Sequence, residues 1–328
     1  MENLKYFNDI KQFVNQFKTT FDHLEDLNIE GEFKKVMLCG MGGSSFYTQI
    51  LNDILNAYDC KIRIQTHKSY FLPSNSSDST FYIASSYSGN TEETISSYSK
   101  ILENNFNHFV LASGGKLLEM AQQNNSQYYT IPAGLQPRLS TGYYIAALLR
   151  VLIALNLPDN DKLLQIKEQL ENLQIVQDEN IETGKALATK IKGKLPIVYS
   201  TFNIKSISKI TKIKFNENSK TQSFSNYFPE LNHNEMVGYT NLVTAPFFLI
   251  YKSKFTLERN KKRIEIFKDI MVKKQLPVVV IEPKGDNVIQ ELFNLYNLAD
   301  FTSYYLAVEN NMDPEPVDLV EEFKEMLK

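Results

Sequence analysis

Little in this chain points to a place outside the aqueous, reduced interior of a cell. It carries two cysteines, Cys39 and Cys60, in 328 residues. Both fall in or beside expected strands, which speaks against a disulfide framework and for a reduced, cytoplasmic setting. Its four histidines, His23, His67, His108 and His233, are scattered and share no ligand spacing with cysteine. Neither a structural nor a catalytic zinc site is therefore expected. No apolar run approaches the length of a membrane span. The start, Met1-Glu2-Asn3-Leu4-Lys5, lacks the apolar core of a signal peptide. An excess of positive charge is missing too: the formal net charge is −3, and no basic run has the density of a nucleic-acid face. The nearest, Lys261-Lys262-Arg263, reads as the solvated face of a helix. Neither a membrane nor a nucleic acid is an expected partner.

What the chain does have is alternation. The length suits two domains or one large α/β unit. Apolar residues at helical spacing from Tyr6 to Leu27 predict one amphipathic helix. Strands are then expected at Lys35–Cys39, Lys61–Gln65, Phe81–Ala84, Phe109–Ala112 and Tyr128–Ile131, with helices between them. That pattern implies a parallel, doubly wound sheet, whose ligands sit at the carboxyl ends of the strands. An apolar helix from Ser140 to Leu157 and a charged connector from Leu163 to about Lys192 lead into a second alternation. Its strands are expected at Leu195–Ser200, Pro246–Tyr251 and Pro277–Glu282, and a short helix ends the chain. The expected division is 1–155, with the first sheet, and 156–328, with the connector, the second sheet and the last helix.

The plan centres on Ser85-Ser86-Tyr87-Ser88-Gly89-Asn90-Thr91-Glu92-Glu93-Thr94. It follows a buried strand, and a helix is expected to start within it, with Asn90 as N-cap and Glu93 closing a capping box. Hydroxyls, a glycine and the N–H groups of a helix start gather in one turn, which suits an anion. By itself the stretch fits an ordinary strand-to-helix turn equally well. A second turn, Gly40-Met41-Gly42-Gly43-Ser44-Ser45, follows the first strand. It is a poor dinucleotide site: Ser45 stands where the third glycine belongs, and no acid at Gln65-Thr66-His67 could hold a ribose. The Gly-Lys-Ser/Thr ending of a P-loop is missing. A smaller anion, of the size of a sugar phosphate, fits better between the two turns. The second half's corresponding turn, Ser200-Thr201-Phe202-Asn203, has no glycine, so one ligand site per chain is expected, on the first half.

Gly42-Gly43-Ser44 and Ser86-x-Ser88-Gly89-Asn90-Thr91-Glu92-Glu93-Thr94 together resemble a SIS (sugar isomerase) domain. That domain is a doubly wound, flavodoxin-like sheet that grips a phosphosugar with Ser and Thr hydroxyls. Gln136-Pro137-Arg138, Phe215-Asn216-Glu217-Asn218-Ser219-Lys220, Pro229-Glu230-Leu231-Asn232-His233-Asn234-Glu235 and Asp313-Pro314-x-Pro316-Val317…Phe323-Lys324 narrow the resemblance. With tandem SIS domains, they resemble the bifunctional phosphoglucose/phosphomannose isomerases over nearly the whole chain. Two departures stand out. Leu139-Ser140-Thr141 replaces smaller residues, and Glu315 lies between the two prolines.

The resemblance implies an aldose–ketose isomerase that opens a hexose 6-phosphate ring and moves a proton between the first two carbons through a cis-enediolate. It implies Glu217 as the base, His233 for ring opening, Lys324 at the ring oxygen and Arg138 beside the enediolate. Gly42, Gly43, Ser44, Ser86, Ser88 and Thr91 would hold the phosphate, and Gln136 the phosphate or a sugar hydroxyl. No metal or cofactor enters this scheme. Read without the resemblance, Glu217 is an exposed acid at a helix end, His233 a loop histidine and Lys324 a surface lysine. The resembling enzymes are homodimers in which the histidine reaches the neighbouring subunit. The aromatic stretches Phe224–Phe228 and Phe247–Tyr251 suggest surface buried beyond one chain. Two rivals remain, a non-catalytic phosphosugar-binding regulator and an aminosugar-phosphate isomerase. The regulator would not need Glu217, His233 and Lys324 together.

Overall fold

A computed structural model describes residues 3–327. They form two compact units, residues 12–173 and residues 3–11 with 174–327. The helix expected over Tyr6–Leu27 is two helices, α1 (Leu4–Lys11) and α2 (Asn15–His23), and the break between them falls at the boundary of the units. The apolar stripe is continuous in sequence but serves two cores. Tyr6 and Ile10 are buried from α1, and Phe17 and Phe21 from α2.

In the unit of residues 12–173, β1 (Lys35–Gly40), α3 (Tyr47–Ala57), β2 (Ile64–His67), β3 (Thr80–Ser86), α4 (Glu92–Glu103), β4 (His108–Ala112), α5 (Gly115–Gln123) and β5 (Tyr128–Thr130) alternate as expected. The strands are all parallel, in the order β2-β1-β3-β4-β5. Strand order reverses between β1 and β3, and the crevice at their carboxyl ends is where such sheets bind ligands. Every residue of β3 is buried, as a central parallel strand covered on both faces requires. Helix α6 (Thr141–Ala154) is almost entirely buried, and its Tyr144 stacks on Tyr47 of α3 at 4.1 Å between ring centroids. Cys39 lies in this core as a free thiol, and burial pushes it up to about 12.

The connector expected over Leu163–Lys192 is also two helices. Helix α7 (Asn160–Glu171) buries Leu163, Ile166 and Leu170 within residues 12–173, whereas α8 (Gln177–Ile191) belongs to the other unit. The division therefore falls at residue 173 rather than 155. The reason is a local anchor: the N–H of Val176 donates to Asn294 Oδ1 at 2.8 Å, and Asn180 Nδ2 donates to Asn297 Oδ1 at 3.1 Å.

The other unit continues with β6 (Leu195–Thr201), α9 (Lys205–Glu217), β7 (Phe224–Phe228), α10 (Leu231–Asn234), β8 (Pro246–Tyr251), α11 (Glu258–Lys273), β9 (Val278–Ile281), α12 (Val288–Glu309) and α13 (Asp318–Met326). Its parallel sheet has the order β7-β6-β8-β9. Phe247–Tyr251 is not spare apolar surface: it is β8, a central strand buried throughout. Phe224–Phe228 is the edge strand β7, with Phe228 buried and Phe224 exposed. A run this apolar is what two-sided burial in a parallel sheet demands, so β8 carries no information about a partner. Among the described residues no helix is long and apolar enough to cross a membrane.

Candidate active site

The turn after β1 and the turn after β3 meet at the switch point of the first sheet. Gly42, Gly43 and Ser44 form a single 3₁₀ turn in which Gly42 has φ +46°. The carbonyl of Ser44 accepts from the hydroxyls of Tyr47 and Ser85. That leaves Ser44 Oγ directed at the other turn, where it accepts from the N–H of Tyr87 at 2.9 Å. Ser86 Oγ lies 2.8 Å from Thr91 Oγ1 and accepts from the N–H of Gly89 at 3.1 Å. Ser44, Ser86 and Thr91 are thus brought together. Ser88 is exposed, and its hydroxyl accepts from the N–H of Asn90 at 3.3 Å.

The helix start differs from the expected capping box. Thr91 holds the N-cap position of α4, and no side chain caps the helix. Thr91 Oγ1 is committed to Ser86, and Asn90 Oδ1 accepts instead from the N–H of Lys116, at the start of α5. Tertiary contact between two turns has outcompeted the local cap. First-turn N–H groups that no side chain caps are what an anion needs.

The turns after β3 and β4 pack backbone on backbone. A Cβ on Gly89 (φ +69°) would lie 1.8 Å from the carbonyl oxygen of Gly114, and one on Gly115 (φ +68°) 2.3 Å from that of Ser88. Both positions therefore demand glycine for space and for conformation.

Tyr87 is the residue that sequence reasoning missed. Its N–H binds Ser44 Oγ, and its carbonyl accepts from Ser113 Oγ at 2.6 Å. Its hydroxyl donates to the carbonyl of Pro132 at 3.2 Å and accepts from the N–H of Leu135 at 3.1 Å. It joins three strand ends to the segment that carries Gln136 and Arg138. An aromatic residue inside a hydroxyl-rich turn was the available signal. Arg138 follows in a 3₁₀ turn (Pro137–Leu139), is 2% exposed, and donates to Gln136 Oε1 at 3.2 Å. The ideal Cβ position of Gly43 is 3.3 Å from Pro137 Cβ, so the glycine turn abuts this segment.

In the other unit, Glu217 is the last residue of α9 and is half-buried. The helix end is held by buried bonds: Tyr6 Oη to Asn218 Oδ1, and Asn218 Nδ2 to Ser303 Oγ, both at 2.8 Å. Lys220, with φ +51°, turns the chain and donates to the carbonyls of Glu217 and Asn218 at 3.0 and 3.2 Å, and to that of Asp313. His233 is exposed on α10, beyond the far end of β7. The loop after Glu217 lies at the start of β6, where Ser223 Oγ donates to the carbonyl of Pro196 at 2.8 Å. Five residues of β7, roughly 16 Å of strand, then lead toward His233. The fold places Glu217 and His233 at opposite ends of one strand. Lys324 lies on α13, a helix with no buried residue, and pairs with Glu321 at 2.7 Å.

A family profile described as the bacterial phosphoglucose isomerase C-terminal SIS domain matches residues 180–327. A bifunctional phosphoglucose/phosphomannose isomerase of Aquifex aeolicus is 32% identical over 97% of this chain and 97% of its own length. The chain belongs to the bifunctional phosphoglucose/phosphomannose isomerase family. A D-glucosamine-6-phosphate 4-epimerase of Sulfolobus acidocaldarius is 25% identical over 89% of each chain. In fold, the chain resembles the tagatose-6-phosphate ketose/aldose isomerase of Escherichia coli, with a TM-score of 0.66 at 13% identity and 94% of each chain covered.

Both departures from the pattern of this isomerase family are absorbed locally. Leu139, Ser140 and Thr141 are buried, and Gln16 braces them by donating to the carbonyl of Leu139 at 2.7 Å and accepting from the N–H of Gly142 at 2.9 Å. The Glu315 carboxylate accepts from Asn3 Nδ2 at 3.2 Å, so its charge is engaged.

The second sheet builds the same switch point between β6 and β8. There a side chain of its own sits in the turn. The buried Glu291 carboxylate accepts from Ser253 Oγ at 2.5 Å and from the N–H of Lys254 at 3.1 Å, and Asn203 Nδ2 donates to Ser253 Oγ at 3.0 Å. The donors that would serve a phosphate are spent on an internal anion. Burial holds Glu291 above its usual 4.5, and the bonds from Ser253 and Lys254 pull it back.

Two outcomes are expected. Tyr87→Phe removes one hydroxyl that makes two bonds, costing about 1 kcal/mol of stability and raising KM for a hexose 6-phosphate several-fold more than it lowers kcat. Steady-state kinetics with urea unfolding checks this. A carboxyl whose folded value is raised binds its proton more tightly in the folded state, so its contribution is full at low pH and is lost as pH rises from about 4.5 through the raised value. Glu291→Gln should flatten that decline, measured as unfolding free energy in pH steps.

Proposed function

We propose that this chain interconverts glucose 6-phosphate and mannose 6-phosphate with fructose 6-phosphate through a shared cis-enediolate, as a cytoplasmic homodimer that needs no metal. The observation that carries the reading is the group of Ser44, Ser86 and Thr91 hydroxyls at an uncapped helix start, in a chain of this family. Such a group holds a phosphate with neutral donors and the helix dipole. Anchoring the phosphate lets binding energy position the far carbons of the sugar. Gln136 serves the phosphate or a sugar hydroxyl.

In this scheme Glu217 takes the proton from the second carbon and returns it to the first. The bonds around Asn218 and Lys220 support that role, because they fix the end of the helix that carries the carboxylate. Arg138 stabilises the enediolate: a buried guanidinium acts through little intervening water, where charge is worth most. His233 and Lys324 open the ring. The two aldoses differ only at the carbon that becomes planar, so one base serves both once the intermediate turns about its next bond. The separation of Glu217 and His233 along β7, with His233 exposed, favours a site completed by His233 of a second chain. The relative that acts as an aminosugar-phosphate epimerase supports a second reading, tested by offering glucosamine 6-phosphate in the same assays.

Glu217→Gln should lower turnover on both aldoses by about 10²–10⁴, together with exchange of the second-carbon proton into deuterated solvent. Wild-type turnover should survive exhaustive chelation in that assay. Exchange at the wild-type rate would remove Glu217 from the mechanism, and zinc-restored activity would remove the metal-free scheme. Co-expressing differently tagged Glu217→Gln and His233→Ala chains tests the assembly. Random pairing makes half the dimers mixed, each with one intact site, so about a quarter of wild-type activity returns if His233 acts across subunits. No recovery above the parents assigns His233 to its own chain.

A further inference from the structure

A cavity with a basic lining lies beside α10 and α11, in the unit of residues 174–327. The cavity, of about 390 Å³, is lined by Asn232, Met236, Arg259, Lys262, Arg263, Ile266 and Phe267. That lies within the roughly 300–1,000 Å³ of small-molecule sites. Arg259, Lys262, Arg263, Ile266 and Phe267 recur at helical spacing, so one face of α11 supplies three cations and an apolar floor. Lys261 pairs with Glu258 at 2.7 Å, while Lys262 and Arg263 turn to the cavity.

No acidic residue lines the cavity, and none of its three cations makes an ion pair among the described residues. Four nearby carboxylates are committed elsewhere. Glu230 accepts from Asn234, Glu235 from Tyr199 and Asn226, Glu258 from Lys261, and Glu265 from Lys252. Arg263 Nη1 donates to Asn232 Oδ1 at 3.3 Å, which fixes one guanidinium at the cavity wall. Three like charges held together without a counter-charge repel one another, and an anion relieves that repulsion.

We propose that this cavity binds an organic di- or triphosphate of nucleotide type. The phosphates lie among Arg259, Lys262 and Arg263, and the flat ring lies against Met236 and Ile266. Two or more negative charges match the cations, and the apolar floor selects against inorganic phosphate alone.

Isothermal titration of the full-length protein with ADP, pyrophosphate and adenosine tests this. ADP should bind at one site per chain, several-fold tighter than pyrophosphate, with adenosine weakest. Lys262→Gln with Arg263→Gln should weaken ADP by about tenfold or more. Lys268→Gln, a charge change elsewhere on the same helix, should leave it unchanged. Ser86→Ala with Thr91→Val should also retain ADP binding while weakening glucose 6-phosphate. That arm keeps the site separable from the proposed isomerase site. Loss of ADP binding in the Ser86/Thr91 variant but not in the Lys262/Arg263 variant would overturn the proposal, as would no ADP binding at millimolar concentration. Circular dichroism of the Lys262/Arg263 variant shows whether a loss of binding is a loss of folding.

Discussion

The contact of Gly89 with Gly114 and of Gly115 with Ser88 is the constraint on which the first unit's site depends. Two turns at neighbouring strand ends lie closer than any side chain allows. Because they touch, Asn90 caps the neighbouring helix instead of its own, and Ser113 reaches the carbonyl of Tyr87. Because Tyr87 is held, Ser44 and the 132–135 segment are held too. An uncapped helix start is costly in isolation. Here the fold keeps it.

The second unit spends its polar interior differently. Lys214 and Asp300 form an ion pair in which each side chain is almost wholly buried, and the Lys214 ammonium lies 3.8 Å from the centroid of the Tyr296 ring. Buried pairs of this kind contribute little net stability, but breaking one leaves an uncompensated charge in the core. Lys214 of this pair lies one turn before Glu217 on α9, and Asp300 is on α12. With the Tyr6–Asn218–Ser303 bonds it puts buried polar contacts along the end of α9 that carries Glu217. Rigid support of this sort is what a group that must shuttle a proton between adjacent carbons requires.

The two sheets share a topology, yet only one keeps an open switch point. In the first, Ser86 and Thr91 bond to each other and Ser44 accepts from the N–H of Tyr87, with no carboxylate among them. In the second, Glu291 supplies the anion from within. The missing glycine in the turn after β6 signalled in the sequence that the second half was different. It did not identify the carboxylate responsible, which comes from helix α12, far along the chain from that turn.

The sequence alone determined the periodic features of this protein. Both parallel sheets, eight of the nine strands and the turns that follow β1 and β3 are legible because strand burial and turn chemistry are local properties of the chain. The edge strand β7 was read only as apolar surface, since its alternation is weak and one face stays partly open. The sequence also held the family's motifs at Glu217, His233, Arg138 and Lys324. Only the tertiary structure decided which helix each cap serves, where the two long amphipathic stretches break, and that Tyr87 joins three strand ends. It also decided that Lys262 and Arg263 share a cavity while Lys261 does not. Each of these depends on what a side chain meets from a distant part of the chain. Periodicity records which face of an element is apolar, but not what is packed against it.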